Sequence, residues 1–292
     1  MFLLSDSSLV NFADDNTVSA FGENPPEVVM KLEQDTGMCL DWLKDNQMSA
    51  NPSKFHAFLP CNPADSDITS VRVADENLEI EDSVPLLGID FDSKLDFHLH
   101  MREIIKKAAF KLYAFRRISS YLNFKTKLLV FNSFILSQLQ YCPLVWYNCK
   151  KSDLNKLDRI QERALRIVYK DYNSDYASLL KKAKCPDFQT RLKRLLMIEV
   201  YKTLHDLNPL YMKDIFTVKM TNYNLRGAAS LLHVPRPNTT RFGKHCLSYQ
   251  GPFLWNQLPI TIRESDNLNH FKSEINKYYW PSEICDCTWC NN

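Results

Sequence analysis

The chain lacks several things. None of its apolar runs approaches the ~20 residues needed to cross a bilayer. The longest, Leu128–Leu139, is interrupted by Asn132, Ser133, Ser137 and Gln138. No signal segment is expected, since Phe2-Leu3-Leu4 is too short for an apolar signal core and runs straight into Ser5-Asp6. Its nine cysteines are odd in number and scattered, which argues against a disulfide framework. These absences point to an intracellular protein with reduced thiols, nuclear or cytoplasmic, that does not contact the membrane. Glycine is also scarce: there are six in 292 residues. Two of them, Gly243 and Gly251, fall where turns are expected.

What is present is ordinary globular composition, 45% hydrophobic and 24% charged, in a chain long enough for two or three domains. The net charge of +2 conceals an asymmetry. Up to Asp92 there are four Lys/Arg against eighteen Asp/Glu, a net of −14; after it there are thirty-two against sixteen, a net of +16. A basic C-terminal part of this size favours a polyanionic partner, most often nucleic acid. Alternatively, it is a solvated surface that complements the acidic part.

Near the start, Leu9-Val10-Asn11-Phe12-Ala13-Asp14-Asp15-Asn16-Thr17-Val18-Ser19 places strand-forming residues on both sides of Asp14-Asp15-Asn16. The pattern predicts a β-hairpin with two carboxylates at its tip. By itself such a pair is often only a turn, but it can also offer oxygen ligands to a divalent cation.

Further along, Asn24-Pro25-Pro26-Glu27 starts a helix that runs to about Asn46, with Val29, Leu32, Cys39, Leu40 and Leu43 on one face. Lys54–Leu59 reads as a strand returning beside the hairpin. Ile68–Val73 and Leu78–Ile80 alternate like a second hairpin, and Pro85–Asp92 is an apolar run around Gly88. From Ser93 the period becomes helical. Phe97, Met101, Ile104, Ala108, Leu112 and Phe115 form an inner stripe, with Arg102, Lys106, Tyr113 and Arg117 opposite. Lys125–Gln140 is apolar almost all round and is expected to be buried. A helix capped by Ser152 or Asp153 turns Leu157, Ile160, Gln161, Ala164, Leu165 and Val168 inward, and Lys156, Arg159, Arg163 and Arg166 outward. Two more helices come next, about 174–183 and 188–207, the second capped by Asp187. After Phe216, prolines alternate with arginines and aromatics, which predicts an irregular segment. The end carries Cys285, Cys287 and Cys290, half of a zinc site. A fourth ligand would have to come from His245, Cys246 or His270. A frayed, cysteine-bearing terminus is the simpler account.

Phe12-Ala13-Asp14-Asp15 resembles the aromatic-Ala-Asp-Asp box of reverse transcriptases, and Asn11–Val18 resembles that box in non-LTR (LINE-type) retrotransposons. Later blocks follow the family's order: Trp42, Asn46, Asn51 and Lys54; Leu87-Gly88; Tyr141–Trp146; Gln161–Arg166; Tyr169–Tyr172; then Tyr223–Arg226, Arg241-Phe242-Gly243, Gly251-Pro252, Trp255-Asn256, Leu258-Pro259, Ile262-Arg263 and Phe271-Lys272. The resemblance implies an α+β architecture: a palm-like part over 1–92, a helical thumb-like domain over 93–215 and the family's tail over 216–292. It implies an RNA-directed DNA polymerase in which a 3′-hydroxyl attacks the α-phosphate of a deoxynucleotide with help from two Mg²⁺ ions. Asp14 and Asp15 would serve that metal site, and Leu87 and Gly88 would back the primer terminus. Arg102, Lys106, Tyr113, Arg117, Lys156, Arg159, Arg163 and Arg166 would hold an RNA–DNA template–primer without sequence preference. The family's pattern also requires a carboxylate from an earlier strand and a glycine-bearing nucleotide-positioning block. Both are expected upstream of Met1, so the chain alone is expected to be inactive. Three readings stand: part of a polymerase that needs its upstream half, a non-catalytic nucleic-acid-binding helical module, or a non-functional transposon remnant.

Overall fold

A computed structural model describes residues 7–60, 68–73, 76–219, 230–239 and 243–278. The chain divides into two compact units, Met1–His100 and Met101–Asn292. Helices and small antiparallel sheets are both present, and the architecture is α+β.

Among the described residues, the first unit carries three separate two-stranded sheets. In the first, β1 (Ser7–Phe12) pairs with β2 (Asp15–Ala20), with Phe12 opposite Asp15 and Leu9 opposite Val18. The loop is therefore two residues, Ala13 and Asp14, rather than Asp14-Asp15-Asn16. Ala13 takes φ 54°, since a two-residue loop that matches strand twist needs positive φ at its first central position. Helix α1 (Pro25–Asp45) comes next. Asn24 caps it by accepting from the Glu27 amide at 3.0 Å, a contact worth about 1 kcal/mol, and Pro25 fills the first turn. The helix packs on β2, β1 and β3 (Ser70–Val73).

The expected strand over 54–59 does not form. Asn51 caps a 3₁₀ turn, Pro52–Lys54, and only Ala57 makes a bridge, to Ile80 and not to the hairpin. The Asn51 side chain accepts from the Ser53 amide, which curls the chain where alternation alone predicts extension.

Strand β3 pairs with β4 (Glu76–Glu79), and β5 (Ser83–Leu86) pairs with β6 (Ile89–Asp92) around the two-residue loop Leu87-Gly88. Both loop residues have positive φ, 49° and 79°, which glycine adopts freely and leucine does not. Asp92 closes this unit. Its buried carboxylate accepts from the amides of Lys94 at 3.1 Å, Asp96 at 3.2 Å and Phe97 at 2.7 Å. Those bonds hold Leu95 and Phe97 at φ 50° and 55°, costly for bulky residues, and set Phe97 edge-on to Phe91.

Helix α2 (His98–Ile118) leads into the second unit. Its inner stripe Met101, Ile104, Ala108, Leu112 and Phe115 is buried, as the 3.6-residue period predicts. Phe97 stands outside the helix, in the loop Asp92 holds.

The next helix departs from expectation. It divides into α3 (Phe124–Val130), a π-helical stretch (Phe131–Leu136) and the short α4 (Ser137–Leu139). Phe131, Ile135 and Leu139 are buried, but Phe124, Leu129 and Phe134 are exposed. An apolar sequence all round a helix overstates burial here, because only one side meets neighbouring helices. Lys111 of α2 lies 4.7 Å from the Phe134 ring centre and donates to Gln138, covering part of the exposed side.

Helix α5 (Lys151–Tyr169) buries all six predicted inner residues. Its start is not capped by Ser152 or Asp153, which lie inside the first turn. Asp153 is instead buried and bonded to Lys156. Helices α6 (Tyr176–Ala183) and α7 (Phe188–Leu204) are capped by Asp175 and Asp187. These three helices meet at a polar node. Asp158 Oδ1 accepts from the Tyr176 hydroxyl at 2.7 Å and the Phe188 amide at 3.0 Å. Gln161 Nε2 donates to the Tyr176 hydroxyl and the Pro186 carbonyl, at 3.1 and 3.0 Å.

The segment after Phe216 is not irregular throughout. It forms α8 (Leu247–Trp255), α9 (Ile260–Arg263) and α10 (Leu268–Lys277). Pro252 sits inside α8 and Pro259 immediately precedes α9, so the prolines that predicted irregularity punctuate helices instead. These helices share a core with α7: Val200, Tyr201, Phe216, Leu254, Trp255, Phe271 and Ile275 pack together. Gly251 is required where it is, because a Cβ would lie 2.6 Å from the Phe216 ring. Asn256 clamps the passing segment by accepting from the Leu232 amide at 2.9 Å and donating to its carbonyl at 2.8 Å, while Trp255 Nε1 donates to the Ser230 carbonyl.

Two hydrogen-bonded carboxylates, one in each unit, can be probed by substitution. Asp92→Ala leaves three amides without their acceptor and is expected to destabilise the first unit by about 3 kcal/mol, read as a lower urea midpoint. Burial raises the Asp158 pKa above the ordinary carboxylate value, against its hydrogen bonds from Tyr176 and Phe188. A carboxyl raised on folding contributes stability below its unfolded pKa and loses it as pH rises through the folded one. Asp158→Asn retains an acceptor oxygen for both bonds. Denaturation of the two proteins from pH 4 to 7 should show the native chain losing stability relative to the variant as pH rises. A parallel pair of curves would mean that the node does not desolvate the carboxylate.

Candidate nucleic-acid interface

In the first unit, Asp14 occupies the second position of the β1–β2 loop and Asp15 opens β2, both exposed. Asn16 donates weakly to the Asp14 carbonyl at 3.4 Å. The same hairpin exposes Val10 and Phe12. Among the described residues, no three His, Cys, Asp or Glu side chains gather so as to hold a metal ion. The two carboxylates thus supply one anchoring element, whereas a pair of hard cations needs oxygens from more than one. Taken alone, the residues present do not fit the Mg²⁺ site that the resemblance implies.

Leu87 and Gly88 form the tight β5–β6 loop, with Leu87 partly exposed. The Trp42–Lys54 block has local structural roles. Asn46 ends α1 by donating to the Trp42 carbonyl at 2.8 Å, Asn51 caps the 3₁₀ turn, and Lys54 is exposed. Cys285, Cys287 and Cys290 lie outside the described residues. Of the candidate fourth ligands, His245 Nδ1 lies 3.3 Å from the Asn148 amide oxygen and Cys246 Sγ reaches the Gly243 carbonyl, while His270 is exposed on α10 and its backbone amide donates to Asn267 in the cap.

The basic residues of the second unit divide by helix. On α2, Arg102, Lys106, Tyr113 and Arg117 are exposed opposite the buried stripe. Glu103 is only distantly paired, 4.0 Å from Arg102 and 3.8 Å from Lys106. On α5, Arg159 and Arg163 are exposed and form no ion pair among the described residues. The ends of that stripe are committed. Lys156 bonds to Asp153 at 2.8 Å, and Arg166 is half-buried, 2.6 Å from Glu162. A surface cation already paired to a carboxylate has less charge to offer a phosphate.

The chief neighbours of α5 are α3, the π-helical stretch, α6 and α7, and α2 is not among them. Close side-by-side packing of the two basic helices, which would join the stripes into one patch, is therefore not seen. Each is a face of its own. Phe110 belongs with the α2 set, although the sequence pattern does not single it out. It is 73% exposed and lies about 180° from the buried stripe. An aromatic out of phase with the core period is the signal that could have found it.

Among the described residues, no helix is long and apolar enough to cross a membrane. Comparison with family models, curated proteins and solved structures finds no match to this chain.

The hairpin geometry predicts weak metal binding, because two adjacent carboxylates with no third partner repel each other. Titration with Mn²⁺, followed by paramagnetic line broadening, is expected to give shallow, non-saturating effects around Asp14 and Asp15. A tight saturable site there overturns this reading of the loop.

Proposed function

We propose that the chain is the palm-end and thumb portion of a non-LTR RNA-directed DNA polymerase. As an isolated polypeptide, it holds nucleic acid through phosphates without sequence preference. The observation that carries the reading is the pair of exposed cationic faces, Arg102, Lys106 and Arg117 on α2 and Arg159 and Arg163 on α5. Each is backed by a fully buried apolar stripe. Cations held rigidly on helices can follow a phosphate backbone at no cost to the core. The two-residue loop bearing Asp14, with Asp15 beside it, supports the polymerase part of the reading through its resemblance to the family's box. Because one hairpin supplies only two carboxylates, polymerisation calls for at least one more from another segment, and we assign no chemical step to this chain alone.

The decisive measurement is binding to a labelled RNA–DNA hybrid across a salt series. Affinity should fall steeply with salt. Arg159→Ala with Arg163→Ala should reduce the slope of log K against log salt by roughly 0.9 for each phosphate that is no longer neutralised. Both side chains are exposed, so stability should change by less than about 0.5 kcal/mol each. An unchanged slope in a folded protein would reduce the α5 face to a solvated surface. In the same preparation, primer extension with Mg²⁺ should stay at background. Extension that Asp14→Ala abolishes would show that the chain holds a complete site.

A further inference from the structure

The two cationic faces differ in chemistry. On α5 the outward residues are Lys156, Arg159, Arg163 and Arg166, with no aromatic among them. On α2, Lys106, Phe110, Tyr113 and Arg117 recur at steps of four, three and four, which places them along one stripe of the helix. The stripe spans about 16 Å at 1.5 Å per residue. Phe110 is 73% and Tyr113 61% exposed. Lys107 and Arg116 flank them, and from Met101 to Ile118 there are six Lys/Arg against the single acid Glu103.

We infer that this face of α2 is a stacking platform for single-stranded nucleic acid: Phe110 and Tyr113 take bases, and Lys106 and Arg117 take the phosphates on either side. The inference rests on the proposed nucleic-acid function and narrows it, since a duplex keeps its base faces stacked inside and has no use for two exposed rings. Base–aromatic stacking tolerates any sequence, because every base has a π face. A protein partner fits less well. The cores of protein interfaces are depleted in lysine, whereas here cations alternate with the rings along the whole stripe. Exposed aromatics on a purely solvated face would gain nothing from their position.

The test separates bases from phosphates. The intact chain is titrated with a short oligothymidine and with an abasic strand of the same length, at one salt concentration and then across a salt series. We expect the base-bearing strand to bind about tenfold or more tightly than the abasic one. Phe110→Ala with Tyr113→Ala should abolish that difference while leaving the salt slope intact. Phe110→Trp should preserve it and Phe110→Leu should not, which distinguishes stacking from simple apolar contact. Equal affinity of the native chain for the two strands, with hybrid binding still present, overturns the platform and leaves the proposed function standing. Failure to bind either strand while the hybrid still binds overturns the platform alone, and failure to bind the hybrid as well removes both. If sedimentation shows a dimer that Phe110→Ala dissociates, the face belongs to a second copy and the inference is wrong.

Discussion

Two hydrogen bonds to one oxygen fix the geometry of the second unit. Asp158 Oδ1, on α5, receives the Tyr176 hydroxyl from the first residue of α6 and the amide of Phe188 from the first residue of α7. Gln161, one turn on, ties the same tyrosine to the Pro186 carbonyl. Two helices, α6 and α7, are thereby locked to a single face of α5. The far side of α7 then carries Val200 and Tyr201 into the core formed with Phe216, Trp255 and Phe271. The C-terminal helices depend on α7, and α7 is aimed by a carboxylate. Burying a charge is costly, and Tyr176, Phe188 and the nearby Arg191 offset that cost.

Much of this is legible in the sequence where a single rule governs. The buried stripes of α2 and α5 follow from the 3.6-residue period alone. The starts of α1 and α7 follow from Asn24-Pro25-Pro26-Glu27 and from Asp187 at the cap, whereas the Asp175 cap of α6 is seen only in the fold. The illegible parts depend on competition between local rules. The run from Lys125 to Gln140 is apolar, but burial is decided by what lies opposite: Leu129 stays exposed, and Phe134 meets the Lys111 side chain of α2 rather than a packed apolar face. The 54–59 segment alternates like a strand, yet Asn51 and Pro52 curl its start. In the last segment, proline reads as a breaker, whereas Pro259 stands at a helix start and Pro252 is absorbed in a short helix. The hairpin is visible, but its loop falls one residue earlier than the polar residues indicate, since strand pairing rather than side-chain polarity sets the register.

The candidate site is only partly legible for a related reason. Sequence identifies which cations face outward. It does not say which are already engaged by a carboxylate. Arg166 and Lys156 look equivalent to Arg159 and Arg163 along the chain, and only the fold distinguishes the paired ends of the stripe from its open centre. Phe110 shows the reverse. Its chemistry is hidden in composition as one more apolar residue, and its meaning comes from lying on the wrong side of the helix for a core residue.

The π-helical stretch from Phe131 to Leu136 sets the phase of the chain beyond it. A π turn accommodates an additional residue within an otherwise α-helical path, so the side chains past it are rotated by about 100° relative to an uninterrupted α-helix. In the observed phase, Ile135 and Leu139 face inward, and the chain then enters the turn in which Trp146 is buried and bonded to the Tyr141 carbonyl at 3.0 Å. Losing one residue within the stretch would let the helix relax to α geometry with Leu139 and Trp146 kept at their present azimuth, because the residue removed is the one that the π turn absorbs. Gaining one would instead turn Leu139 by a further ~100°, away from the core. This short interval therefore accommodates a shorter chain better than a longer one.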